Sequence, residues 1–454
     1  MTESKSGLGK GKGKGKGEKP AVAGAVAAPR PGPLTDARGG LKLVVDGTRH
    51  ITGLVEALHG QILRVAPPLR RRSAAESARS GLHAHDTDGL PRTRGLTGLI
   101  YRSIQGSTRL VGDGLDGLLA PFDNALASAA GTNPAAPRRD ALVAALNGVL
   151  GDHLLRSGNP LAIPMQLRQH GQRLDAAALG PEAPRRVLLL VHGLCMSDGG
   201  WRRNGHDHGA LLGQALGAAP VYAWYNTGRH ISENGRDLAD ALEQLLADWP
   251  VPLDALMIVG HSMGGLVARS AAHQAALLGQ QWPQRLKKLV FLGSPHHGAP
   301  LERAGNWLHR VMDLSPYVAP FTRLSRIRSA GITDLRHGNL LESDWQGASR
   351  FDHRDLRTPV PLPAGVDCYA LASTAGDAGS AGSMLGDGLV MIDSGLGRHK
   401  RSALDLGLPK SHTWVGHGIH HLDLLNDPAV YRRLLSWLGA CLQAGRRRVP
   451  YPPR

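Results

Sequence analysis

Little in this 454-residue chain suits disulfide or metal chemistry. Its three cysteines, Cys195, Cys368 and Cys441, are odd in number and far apart. That excludes a disulfide framework and the paired spacing of a zinc site, and a reducing compartment is expected. The 22 histidines include His206 with His208, His296 with His297 and His420 with His421. None has a cysteine or carboxylate recurring beside it at ligand spacing, and no H-E-x-x-H pattern occurs, so no metal is expected. No apolar run is long enough to cross a bilayer. The charged amino terminus is not followed by a compact apolar segment with a cleavage site, so no secretory signal is read. These absences lead to the expectation of a soluble cytoplasmic protein.

Positive charge, by contrast, is plentiful. The formal charge is +16, part of it in the first twenty residues and part in Arg446-Arg447-Arg448. Such tails suit peripheral contact with an anionic membrane; no nucleic-acid motif accompanies them, so no specific nucleic-acid binding is expected. Residues 1–35 carry Lys10-Gly11-Lys12-Gly13-Lys14-Gly15-Lys16 within Ala-Pro-Gly text and are expected to be a disordered basic tail. Residues 36–157 hold patches of helical periodicity at 53–58, 96–101, 115–119 and 139–146, read as a helical extension. The main domain is expected over 158–445, followed by a basic tail over 446–454.

That domain is organised around Val259-Gly260-His261-Ser262-Met263-Gly264-Gly265. The apolar run Ala255-Leu256-Met257-Ile258 before it has the composition of a buried parallel strand. The small residues Leu266 to Ala272 after it suit a helix packed closely on a sheet. Ser262 then sits on a strand-to-helix turn, the setting of a G-x-S-x-G nucleophile elbow, where flanking glycines leave room for a strained serine. The amino end of the following helix faces the place where negative charge develops in acyl transfer.

From these residues the chain resembles the α/β-hydrolases of the lipase and esterase kind. With Gly293-Ser294-Pro295-His296-His297-Gly298-Ala299-Pro300 added, it is similar to bacterial lipase-like proteins grouped with the GPI inositol-deacylase hydrolases. The resemblance implies a mostly parallel sheet with helices on both faces and a cap insertion, here about 301–362. It implies an oxyanion hole from the N–H groups of Leu194, in the loop after His192-Gly193, and Met263, after the nucleophile. It also implies an acid in Gly386-Asp387-Gly388 and a base in Gly418-Ile419-His420-His421-Leu422-Asp423. Asp387 lies between two glycines beyond the strand Val366–Ala372; Asp377 and Asp393 compete with it. His421 is preferred as base, with His420 as the alternative.

The remaining elements follow the same pattern. Ala162–Leu174, interrupted at His170-Gly171, reads as a hairpin. Arg186–Val191, Pro220–Tyr225 and Leu286–Leu292 read as strands, Asp237–Leu246 as an amphipathic helix and Val430 to about Leu442 as the last helix. Asn226 to Ser232 reads as a rim loop able to touch substrate, or as turn and cap chemistry. His192 is expected to pack the loop and Cys195 to be a buried apolar residue. Trp307, Leu308, Val311, Met312, Leu314, Tyr317, Phe321 and Leu324 suit a cap over an acyl slot. The chain order Ser262, Asp387, His421 is that of the α/β-hydrolases. The expected activity is a serine carboxylester hydrolase acting without a cofactor on a hydrophobic or lipid ester. A thioesterase, an intracellular polyester depolymerase or a non-catalytic binding scaffold are the alternatives.

Overall fold

A computed structural model of the chain describes residues 136–299, 329–346, 355, 357–378 and 386–439. The expected basic tails, the patches at 53–58, 96–101 and 115–119, and the apolar cluster from Trp307 to Leu324 lie outside these residues. In chain order the described elements begin with helix α1 (Ala136–Arg156), the hairpin β1 (Gln166–Gln169) and β2 (Gln172–Arg173), and β3 (Arg186–Val191). A short ribbon of β4 (Arg202–Arg203) and β5 (His206–Asp207) leads to α2 (His208–Leu216), β6 (Ala219–Trp224) and α3 (Ile231–Asp248). Then come β7 (Ala255–His261), α4 (Met263–Leu277), β8 (Leu286–Leu292) and α5 (Ala330–His337). The chain continues with β9 (Asp367–Thr374), the single turn α6 (Ile392–Gly395), β10 (Thr413–His417) and α7 (Pro428–Gly439).

Among the described residues, eight strands form one sheet in the order β10-β9-β8-β7-β3-β6-β1-β2. From β10 to β6 every neighbouring pair is parallel, and β1 and β2 add an antiparallel margin. The hairpin turns at His170 and Gly171, both at positive φ (52° and 72°), the conformation that a two-residue turn needs to match strand twist.

The central strands are apolar throughout because both faces are covered. On β3, Val187, Leu189 and Val191 join a core shared with α1, α3 and α4. Leu188 and Leu190 join the opposite core, shared with α2 and α7. This is the α/β-hydrolase fold: a mostly parallel sheet flanked by helices, with a strand-turn-helix at its centre. Among the described residues, no helix is long and apolar enough to cross a membrane.

Helix α1, expected within an extension ahead of residue 158, belongs to the first of these cores. Val143, Ala144, Leu146, Val149, Leu150 and Leu154 are buried in it. Asn147 ties the helix to the segment ahead of β1: its side-chain amide donates to Leu161 O at 2.8 Å and its Oδ1 accepts from Ile163 N at 3.0 Å. Arg168 on β1 pairs with Asp140 of the helix at 3.0 Å and with Asp198 at 3.3 Å, and its guanidinium lies 4.1 Å over the Trp224 ring. The described end of the insertion, from Ser329 to Gln346, packs on the same side. Its α5 presents Asp334, fully buried, which accepts from Ile231 N at 2.9 Å at the start of α3.

Candidate active site

Ser262 follows β7 directly and caps α4 with φ 53° and ψ −124°, a region that a non-glycine residue occupies at a cost of about 1–3 kcal/mol. Close packing holds it there. A Cβ on Gly260 would lie 2.5 Å from Gly265 Cα, and one on Gly264 would lie 2.1 Å from Val191 O. The turn therefore needs both glycines for space, independently of φ. Ser262 N donates to Leu292 O at 2.9 Å, joining the elbow to the end of β8. Its hydroxyl makes no hydrogen bond with the described residues.

Asp387 and His421 come together from loops beyond β9 and β10. His421 Nδ1 lies 2.7 Å from Asp387 Oδ2, and both side chains are almost completely buried. The other carboxylate oxygen accepts from Leu389 N at 3.0 Å and Val390 N at 2.8 Å. Gly386 and Gly388, at φ 71° and 96°, let the chain turn tightly around the carboxylate. With Nδ1–H donated to Asp387, the lone pair of a neutral His421 is on Nε2. The competitors are elsewhere: Asp393 pairs with Arg398 at 3.7 Å, and Asp377 and His420 are exposed.

His261 links the serine and histidine segments. Its Nε2–H donates to His421 O at 3.2 Å, and the two rings lie 4.8 Å apart. Burial holds the His261 imidazole far below its ordinary titration range, and neighbouring His421 adds to this. Gly193 touches the elbow from the other side, since a Cβ there would lie 3.0 Å from Ser262 Cβ and 3.2 Å from His261 Nδ1.

Leu194 and Met263 are both buried beside the serine. Met263 N is the first N–H of α4 and has no intrahelical acceptor. Leu194 N has none among the described residues. Gly193 to Met196 form a turn closed by Met196 N to Gly193 O at 3.3 Å. Cys195, third in this turn, has φ 59°, where type II turns usually place glycine. Its thiol is buried and pushed up to about 12 by loss of solvent, so it stays protonated and unreactive.

Other singled-out side chains serve the scaffold. His192 stacks on Tyr225 with ring centroids 4.5 Å apart, and burial lowers it to about 4. Asn226 Oδ1 accepts from Gly228 N at 3.0 Å while its amide donates to Gly151 O at 2.9 Å; Ser232 Oγ accepts from Trp345 Nε1 at 3.0 Å. This is turn and packing chemistry rather than a free rim. His296 is buried edge-on to Phe291 at 4.5 Å, and its carbonyl accepts from Arg357 at 3.0 Å. His206 and His208 hydrogen-bond each other at 2.7 Å, and His208 Nε2–H continues to Leu424 O at 3.0 Å, in the loop that follows His421. Among the described residues, no three His, Cys, Asp or Glu side chains gather as a metal site.

A protein family described as a domain of unknown function (DUF7379) matches residues 139–333, beginning within α1. No curated protein matches the chain. Among solved structures the chain is similar to the mature Bacillus licheniformis lipase BlEst2, at 15% identity and TM-score 0.36, over 57% of this chain and 93% of that one. It is similar to Aspergillus fumigatus lipase B at 12% identity and TM-score 0.34, over 60% of this chain and 55% of the lipase. It is also similar to YbtT, a type II thioesterase of the yersiniabactin pathway, at 16% identity and TM-score 0.33, over 58% of this chain and 93% of that one.

Proposed function

We propose that the chain is a serine carboxylester hydrolase that acts on a hydrophobic acyl ester or lipid through an acyl-enzyme. The observation that carries this reading is the buried 2.7 Å contact of His421 with Asp387, with His261, next to the strained Ser262 in the chain, donating to His421 O at 3.2 Å. In this mechanism Ser262 Oγ attacks the ester carbonyl and passes its proton to His421 Nε2. Asp387 holds the tautomer and stabilises the imidazolium. The N–H groups of Leu194 and Met263 bind the oxyanion of the tetrahedral intermediate. Collapse expels the alcohol, which takes the proton from His421. Water, deprotonated by the same histidine, then attacks the acyl-enzyme and releases the acid. No step calls on a cofactor.

The substrate class follows the resemblance of the sequence motifs to lipases and esterases. The test is hydrolysis of p-nitrophenyl esters from acetate to palmitate, with an acyl thioester alongside, by wild type and Ser262→Ala. Turnover that disappears in the variant is expected, and its dependence on chain length reports the acyl slot. Equal turnover by both proteins, or none by either, overturns the reading.

A further inference from the structure

The loop after β6 carries two polar side chains that the mechanism above does not use, Tyr225 and Thr227, and both grip the turn that holds Leu194. Tyr225 OH donates to His192 O at 2.6 Å, just before the turn. Cys195 N donates to Thr227 Oγ1 at 3.1 Å, inside it. We infer that Thr227 is a positioning residue of the oxyanion site: its hydroxyl oxygen, accepting from Cys195 N–H, holds the Gly193–Met196 turn and with it the Leu194 N–H beside Ser262. The inference rests on the serine hydrolase reading.

The argument starts from strain. The peptide joining Leu194 to Cys195 is the central peptide of the turn, and its N–H is the one that Thr227 accepts. Rotation of that peptide interconverts turn types and returns the third residue to negative φ, which a residue with a Cβ prefers. Cys195, at φ 59°, is held against this preference. Releasing its N–H lets the turn relax; the Leu194 N–H lies on the preceding peptide and shifts as the whole Gly193–Met196 turn readjusts around the flip. Gly193 sets the consequence at the serine, since a Cβ added to it would lie 3.0 Å from Ser262 Cβ.

Thr227 is itself fixed from both sides. It is 1% exposed. A Cβ on Gly331 of α5 would lie 2.1 Å from Thr227 O, and one on Gly228 would lie 2.1 Å from Asn147 O of α1. Gly331 N donates to Gly228 O at 3.0 Å. Helix α1 also meets the turn directly, for a Cβ on Gly148 would lie 2.2 Å from Cys195 Sγ. The hydroxyl is thus presented from a loop clamped between two helices, and its position does not depend on the turn that it holds.

The test compares Thr227→Val, nearly isosteric but without an acceptor, with Thr227→Ser, in the full chain. Two readouts are taken: kcat and KM on an ester that the wild type cleaves, and the hydrogen exchange rate of the Cys195 amide. Thr227→Val is expected to lower kcat by tenfold or more, short of the ~100- to ~1000-fold loss when an oxyanion donor is deleted outright. KM stays within about twofold, because the donor acts in the transition state. Thr227→Ser recovers kcat, and the Cys195 amide exchanges faster in the valine variant only. Where the valine variant does not fold, Thr227→Ala makes the same comparison. Unchanged kcat in the valine variant, equal losses in valine and serine variants, or unchanged exchange overturns the inference. Failure of the hydrolase reading shows separately, as turnover that survives Ser262→Ala, while the exchange rate needs no substrate and still decides whether Thr227 holds the turn.

Discussion

Asp387 turns one carboxylate oxygen to His421 Nδ1, at 2.7 Å, and the other to two backbone N–H groups, Leu389 and Val390. The two oxygens therefore have separate tasks, one facing the imidazole and one closing the turn. Asp387→Asn keeps an oxygen for Leu389 and Val390 and places an amide N–H against Nδ1, which forces the opposite tautomer. Folding is expected to survive, while kcat falls by about 10⁴, the loss associated with a wrong tautomer in such triads. Ester kinetics beside a thermal melt check both halves.

Adjacent histidines make a sharper comparison. His420 is exposed, whereas His421 is buried against Asp387. His420→Ala is expected to keep kcat within about twofold, and His421→Ala to lose a factor of about 10³ or more. Comparable losses in the two variants, measured on one ester, would remove His421 from its role.

Glycine at 264 is a matter of space. An added Cβ meets the backbone oxygens of Val191 and His192 at 2.1 and 2.6 Å, and these belong to the central strand and the loop it feeds. Gly264→Ala is expected to destabilise the protein by about 3 kcal/mol or more. Gly217, after α2 at φ 61° with nothing within 4 Å of a Cβ, is the control; alanine there costs about 1 kcal/mol through backbone conformation alone. Urea titrations of the two variants separate clash from conformation.

Arg168 sits between Asp140 and Asp198, at 3.0 and 3.3 Å, with all three side chains buried. Burial pushes the Asp198 carboxyl upward and Arg168 opposes this. Arg168→Met removes the cation that the two carboxylates share, leaving Asp140 its contact with Arg139 at 3.3 Å, and is expected to cost about 3 kcal/mol at neutral pH. The penalty shrinks as the pH falls and the Asp198 carboxyl takes up a proton. Urea midpoints of wild type and variant at pH 7 and pH 5 test the size and the trend.

Four buried histidines give the stability a pH dependence of known sign. Burial lowers His192 to about 4 and His208 to about 3, and holds His261 and His296 well below the ordinary 6.5. Between pH 6.5 and about 4 the unfolded chain binds protons that the native state refuses, so stability falls as pH falls. Each histidine contributes up to about 1.4 kcal/mol per pH unit. Above pH 7.5 the four are neutral in both states and give no slope. Urea midpoints from pH 8 to pH 5 should be flat and then decline steeply; a midpoint that rises on acidification contradicts the assignment.

Strands covered on both faces were the most legible parts of the sequence. Arg186–Val191 and Leu286–Leu292 carry continuous apolar runs, and the strands have those same bounds. Strand β10, Thr-Trp-Val-Gly-His, gave no such signal, because it lies at the sheet edge and is only half buried. Helix α3 starts at Ile231, ahead of the expected Asp237, because Ser232 and Asn234 in its first turn bury polar side chains that read as loop. At the site, the elbow and the glycines around Asp387 were readable as local turn requirements. What Tyr225 and Thr227 touch was not, since a hydrogen bond between Thr227 and Cys195 spans 32 positions and leaves no spacing to find.

The place of α1 in the core also sets an order of events during synthesis. Ser329 Oγ donates to Gly148 O at 2.7 Å across 181 positions, and Asn226 reaches Gly151 across 75. At about 5–20 residues per second, α1 leaves the ribosome roughly ten to forty seconds before Ser329 is made. Until β3, β6 and β7 have followed it out, its apolar face, from Val143 to Leu154, has no sheet to rest on. The nascent chain thus carries an exposed, greasy helix early, and it is at this stage that a holdase has most to bind.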